Sequence, residues 1–174
     1  MTRPYQPSLL RLLHGMTAVL VVAAWLTGWM VYNHFDGRWG RLPLQLEGEW
    51  IDLHGSVGAL LWPVALLFAL YALTLGRRRL GRPANAIPLL ALALAVGSGK
   101  LMEEDWLRDG DLTQAVYGVH LVAWILLAGA VLTHLLGVMG RGGLSLAGSM
   151  LSWRWRAKDG PGDWPGQLRR HFTR

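Results

Sequence analysis

His14, His54, His120 and His134 are the side chains of this sequence best placed to do chemistry. Each lies one or two helical turns inside the end of a very apolar segment. Neutral imidazole is the commonest side-chain metal ligand, and a polar side chain in a lipid-facing helix is costly and usually functional. His120 and His134 share one segment, fourteen residues apart. At about 100° and about 1.5 Å per residue they fall on nearly the same face, separated by about 21 Å. By depth, His54 belongs with His120 and His14 with His134. Two such pairs point to two stacked metal centres with two protein ligands apiece.

The elements that must position them are four apolar runs, at Leu12 to Tyr32, Leu53 to Gly76, Ala84 to Gly99 and Ala115 to Met139. Three exceed the ~20 residues that cross a hydrocarbon core of ~30 Å. The third is shorter and spans if Leu101 and Met102 extend it while Lys100 snorkels. The expected architecture is all-α, a transmembrane four-helix bundle over residues 1–140. A basic, Gly-rich tail over 141–174 follows it. Within that tail a helix at 144–156 is expected at the lipid surface, with Trp153 and Trp155 at headgroup level. The last fourteen residues read at least as well as a disordered tail.

Charge orients the bundle. Thirteen of the 17 Lys and Arg fall at the termini and in the connection between runs two and three, opposed there only by Asp159 and Asp163. The other side has Arg38, Arg41, Lys100 and Arg108 against nine carboxylates. The positive-inside rule therefore predicts both termini in the cytoplasm. The formal net charge of +6 follows from this asymmetry. With no nucleic-acid-binding motif beside it, the charge points to membrane lipid as a partner and not to nucleic acid.

The donor set narrows the metal chemistry. There is no cysteine, which excludes disulfides, thiolate metal sites and covalent haem attachment. Zinc or a di-metal centre would want carboxylate or thiolate ligands, and no Asp or Glu lies within the apolar runs. Haem iron needs only two histidines on facing helices and room for the macrocycle. Gly58, Ala18 and Ala130 lie one turn from His54, His14 and His134, and Gly55, Gly118, Gly129 and Gly137 thin the same regions. Iron so ligated has no open position, so it moves electrons.

Other residues have secondary parts. Arg11, three residues before His14, is placed to meet an anionic propionate, with Arg77 and Arg141 bordering the same level. Lys100 ends a short helix among carboxylates, where it draws in an anionic or quinone substrate or merely snorkels beside Glu103 or Glu104. His34 reads as a loop residue and is the one competitor for the outer level; His171 reads as solvated. Trp29, Trp39, Trp50 and Trp106 suit an outer aromatic belt, whereas Trp62 and Trp124 lie deeper. Glu47, Glu49 and Asp52 favour the N-terminus of the second helix and form a dock for a cationic donor. GSGK at 97–100 lacks the upstream Gly and following Ser/Thr of a phosphate loop.

Three stretches, RLLHGMTAVLVVAAWLTG at 11–28, DLHGSVGALLWPVALLFALY at 52–71 and GVHLVAWILLAGAVLTHLLGVM at 118–139, carry a resemblance. The chain resembles the bacterial di-haem cytochrome b561 family of four-helix membrane proteins. That resemblance implies two haem b groups ligated by His14, His54, His120 and His134 in the bacterial inner membrane, and electron transfer linked to a quinone. It leaves two alternatives: a stand-alone superoxide or quinone oxidoreductase, or a haem-bearing anchor for a dehydrogenase or c-type cytochrome. The sequence departs from the family in the third helix, which reads VGSGKLMEEDW where a longer apolar run is usual. Its tail, GGLSLAGSMLSWRW, looks more like that of partner-associated cytochromes.

Overall fold

A computed structural model describes residues 4–41, 43, 46–103, 111–152 and 156–172, with side chains to residue 169. Every regular element among them is helical. Helix α1 (Ser8–Val31) runs into a π turn at Tyr32–Asp36, followed by α2 (Trp50–Leu73), the short α3 (Arg77–Leu80), α4 (Pro83–Leu101) and α5 (Asp111–Ser149). A 3-10 turn at Pro161–Asp163 leads into α6 (Trp164–Phe172). The residues forming α1, α2, α4 and α5 are long and apolar enough to cross a membrane. Local chemistry sets their limits. Arg82 is extended, as a residue before proline prefers, and Pro83 starts α4 where its missing N–H is not needed. Gly37 ends the π turn at φ 69°, its amide returning to the Tyr32 carbonyl at 3.0 Å.

Packing is in hairpins. Helix α1 lies along α2 and α4 along α5, and α2 lies more lightly against α4. Few side chains of each span are fully buried. Only 28% of the most apolar α1 window and 22% of those of α2, α4 and α5 are buried. That proportion suits helices whose outer faces meet lipid tails. The interior is held at mid-depth by Leu61, Ala65, Ala91, Leu92, Leu127 and Ala130. A second cluster, Leu10, Leu13 and Tyr71 with Phe68 and Met150 against it, closes the end nearer the termini.

One expectation for the tail changes. The fourth span runs just past Met139 to a break at Gly143 with φ 55° and ψ −151°, and a separate short turn of helix to Ser149 follows, within the stretch expected to be helical at 144–156. That conformation is essentially restricted to glycine. Beyond it, Met150 tucks into the end cluster, which draws the chain back under the bundle. The tail after Gly160 is ordered through the turn and α6. Trp153, Arg154 and Trp155, the expected interfacial anchor, lie outside the described residues, as do Trp106 and Arg108.

Asp159 explains the order of the tail. Helix α1 has no side-chain cap of its own. The Asp159 carboxylate supplies one from 151 residues away, accepting the Ser8 amide at 2.9 Å. It also accepts the Tyr5 hydroxyl, while the Trp164 indole N–H donates to the Ser8 hydroxyl at 2.9 Å. Burial alone would raise this carboxyl; the hydrogen bonds from Tyr5, Ser8 and Gln167 outweigh it and hold the group below the usual carboxylate range. A carboxylate here also faces the positive end of the α1 dipole. Both chain ends therefore sit at one end of the bundle, with α3 joined to them through Arg79 and Gln6 at 2.8 Å.

Candidate metal centres

The four histidines meet in two pairs. His54 of α2 and His120 of α5 have ring centroids 6.1 Å apart, with planes at 71°. His14 of α1 and His134 of α5 are 6.2 Å apart, with planes at 41°. Two imidazoles bound from opposite sides to one metal, at about 2.0 Å per nitrogen, have ring centres roughly 6.3 Å apart. Both pairs match that spacing. No cluster of three or more His, Cys, Asp or Glu suited to a metal occurs among the described residues. Two facing imidazoles at each level would suffice for an ion that brings its other ligands in a macrocycle.

Three rings are fixed through Nδ1. His134 Nδ1 lies 2.8 Å from the Ala84 carbonyl. A carbonyl only accepts, so Nδ1 carries the proton and Nε2 keeps the lone pair. His54 Nδ1 lies 3.1 Å from the Thr27 hydroxyl, and His120 Nδ1 3.0 Å from that of Ser98. His14 instead meets the edge of Phe68, with ring centroids 6.0 Å apart. Donation of the second ring N–H to a protein acceptor is the usual support for a metal-bound histidine. One turn beyond His14, the buried Thr17 hydroxyl has no partner among the described residues. It is an unmet polar group at the inner level.

Space beside the pairs varies. A Cβ added at Gly15, Gly55, Gly58, Gly118 or Gly129 would meet nothing within 4 Å. Gly137 is instead filled by Ala84 and Arg141, and Ala130 belongs to the mid-depth core. Gly28 and Gly99 were not singled out by sequence as ring supports. An added Cβ there would stand 3.0 Å from His54 Cε1 and 3.1 Å from His120 Cε1. Thr27, Ser98 and these two glycines are what the sequence reading missed. A hydroxyl-glycine dipeptide near the outer end of two apolar runs was the available signal.

The secondary candidates divide. Arg11 is buried on the first turns of α1, its guanidinium 5.4 Å from the Tyr5 ring centre. Lys100 pairs with Glu103 at 2.5 Å; Glu104 lies outside the described residues. Lys100 also stands at one end of a groove of about 470 Å³ between α2 and α4, lined by Trp62, Leu66, Leu89, Val96 and Gly97. His34 is exposed and rests on Phe35, away from the outer pair. Trp124 stacks with Trp25 at 5.1 Å and Tyr32 at 5.8 Å, tying α5 to α1. One turn before His120, the Tyr117 hydroxyl donates to Asp36 at 2.7 Å, a further tie between these helices.

Compared with known proteins, the chain matches no family model, no curated protein and no solved structure.

Proposed function

We propose that this chain is a b-type cytochrome that carries electrons across a bacterial cytoplasmic membrane and exchanges them with a quinone pool. One observation carries the reading: two pairs of imidazoles from separate spans, each at bis-ligand spacing and each at its own depth. His54 and His120 would hold one haem b, and His14 and His134 the other. A haem with two protein imidazoles has no open iron position, so what it supplies is one-electron transfer. The protein contributes ligand orientation and a dry interior. Leu61, Leu92 and Leu127 fill the level between the pairs and exclude water from it. The end bearing both termini carries the basic excess and is assigned to the cytoplasm. The quinone part of the reading is supported by the apolar groove beside Trp62, which runs past Val96 and Gly97 to Lys100.

The test is reduction by quinol. Purified protein in lipid vesicles is expected to show a reduced b-type spectrum on adding a short-chain ubiquinol, with the oxidised form returning on adding quinone. Reduction by dithionite but not by ubiquinol or menaquinol would overturn the quinone assignment. A stoichiometric dehydrogenase or c-type cytochrome in the purified sample would then favour the anchor role.

A further inference from the structure

The outer pair is built from both hairpins in the same way. Helix α1 presents Thr27-Gly28 to His54 of α2, and α4 presents Ser98-Gly99 to His120 of α5. Each hydroxyl donates its one proton to a carbonyl of its own helix, Thr27 to Ala23 at 2.8 Å and Ser98 to Leu94 at 2.7 Å. What remains toward the imidazole is an oxygen lone pair, so the facing Nδ1 must be the donor. Both hydroxyls are buried, Thr27 8% and Ser98 4% exposed, where an unmet partner is expensive. The glycine that follows each one lets the ring edge come close, an added Cβ at Gly28 or Gly99 standing tight against it at 3.0 and 3.1 Å.

We infer that Thr27 and Ser98 are positioning residues of the outer pair: from the neighbouring helices they fix both imidazoles as Nδ1–H tautomers, leave Nε2 as ligand, and set the basicity of that ligand. The inner pair lacks the hydroxyls, having a backbone carbonyl on His134 and the Phe68 ring beside His14, whereas His54 and His120 each meet a hydroxyl and also a backbone carbonyl, of Ala24 and Ala95. The outer level therefore carries side-chain acceptors, beside its backbone ones, that the inner level does not have. An acceptor on Nδ1–H makes the imidazole more electron-rich and favours the oxidised metal. Its removal weakens binding and makes the outer centre easier to reduce.

This inference rests on the di-haem reading for its redox consequences but not for the tautomers, and the experiment separates the two. Thr27→Val and Ser98→Ala are compared with the native chain, with Thr27→Ser and Ser98→Thr as conservative controls. In the haem-free protein, imidazole nitrogen NMR is expected to show His54 and His120 as Nδ1–H tautomers. Each Nδ1–H signal is expected to shift, and its tautomer to lose population, only in the variant lacking its own hydroxyl, the backbone carbonyl of Ala24 or Ala95 being the acceptor that remains. With haem added, affinity at one of the two levels falls about 10–100-fold. The reduction equilibrium of that component shifts several-fold toward the reduced form, a tenfold shift being about 59 mV for one electron. The other component stays in place, and the conservative controls restore both. Unshifted Nδ1–H signals in Thr27→Val and Ser98→Ala, or unchanged affinity and potential of both components, would overturn the inference. A native chain that takes up no haem but shows the expected tautomer changes would overturn the di-haem reading and leave the positioning role standing.

Discussion

Replacing His120 by alanine is expected to leave one haem per chain where the native protein holds two. His120 faces His54 with ring centroids 6.1 Å apart. Loss of one takes away half the protein ligation and opens a position to water. The inner pair should be untouched. It lies about 21 Å away by the helical rise from His120 to His134, beyond the layer of Leu61, Leu92 and Leu127. His134→Ala should give the mirror result, retaining the outer group alone. His34→Ala is the control, because that ring rests on Phe35 at the exposed rim. Haem per chain from the pyridine haemochrome, with a redox titration to identify the surviving component, checks all three. Loss of a group in His34→Ala with retention of both in His120→Ala would show that the pairing is wrong.

The second large effect concerns the layer between the pairs. Leu127 is 7% exposed and packs at mid-depth among Leu61, Ala65, Ala91 and Leu92. Leucine-to-alanine changes in soluble cores cost about 2–5 kcal/mol, part of it lost transfer from water and part the cavity. In a bilayer the separated helices still face hydrocarbon, so the transfer part largely cancels and packing remains. Leu127→Ala is therefore expected near the lower end of that range, about 2 kcal/mol, roughly 30-fold in the folding equilibrium. Both haems should still bind, since no ligand or ring support is altered. Denaturation by mixed micelles of rising SDS fraction, followed by haem absorbance, measures the change. Unaltered stability would mean that this layer does not hold the hairpins together.

The topology was legible because hydropathy and charge are properties of segments, not of contacts. Four apolar runs and a lopsided Lys/Arg distribution suffice for four spans with both ends together. The side chains at Tyr5, Ser8, Asp159 and Trp164 show the ends meeting. The His54–His120 and His14–His134 pairings were also legible, since depth along a helix is a count of residues. What depth does not give is rotation about the helix axis, which packing decides. Thr27 and Ser98 are outwardly ordinary members of their runs until α1 turns one toward His54 and α4 the other toward His120. Arg11 shows the same gap: its level was readable, its neighbour Tyr5 was not. The order after Gly160 was hidden for a different reason. The tail's composition is that of a solvated segment, and only the uncapped first turn of α1, 151 residues earlier, gives Asp159 something to bind.

The most direct test of the central claim is the pigment content of the native chain. Protein purified from membranes of haem-replete cells, extracted with acidified acetone, should release two non-covalent protohaems per polypeptide. The ferric protein before extraction should be wholly low-spin, as two protein imidazoles on each iron require. Any other number of porphyrins, or a high-spin ferric signal from an open iron position, would contradict paired histidines holding iron at two depths.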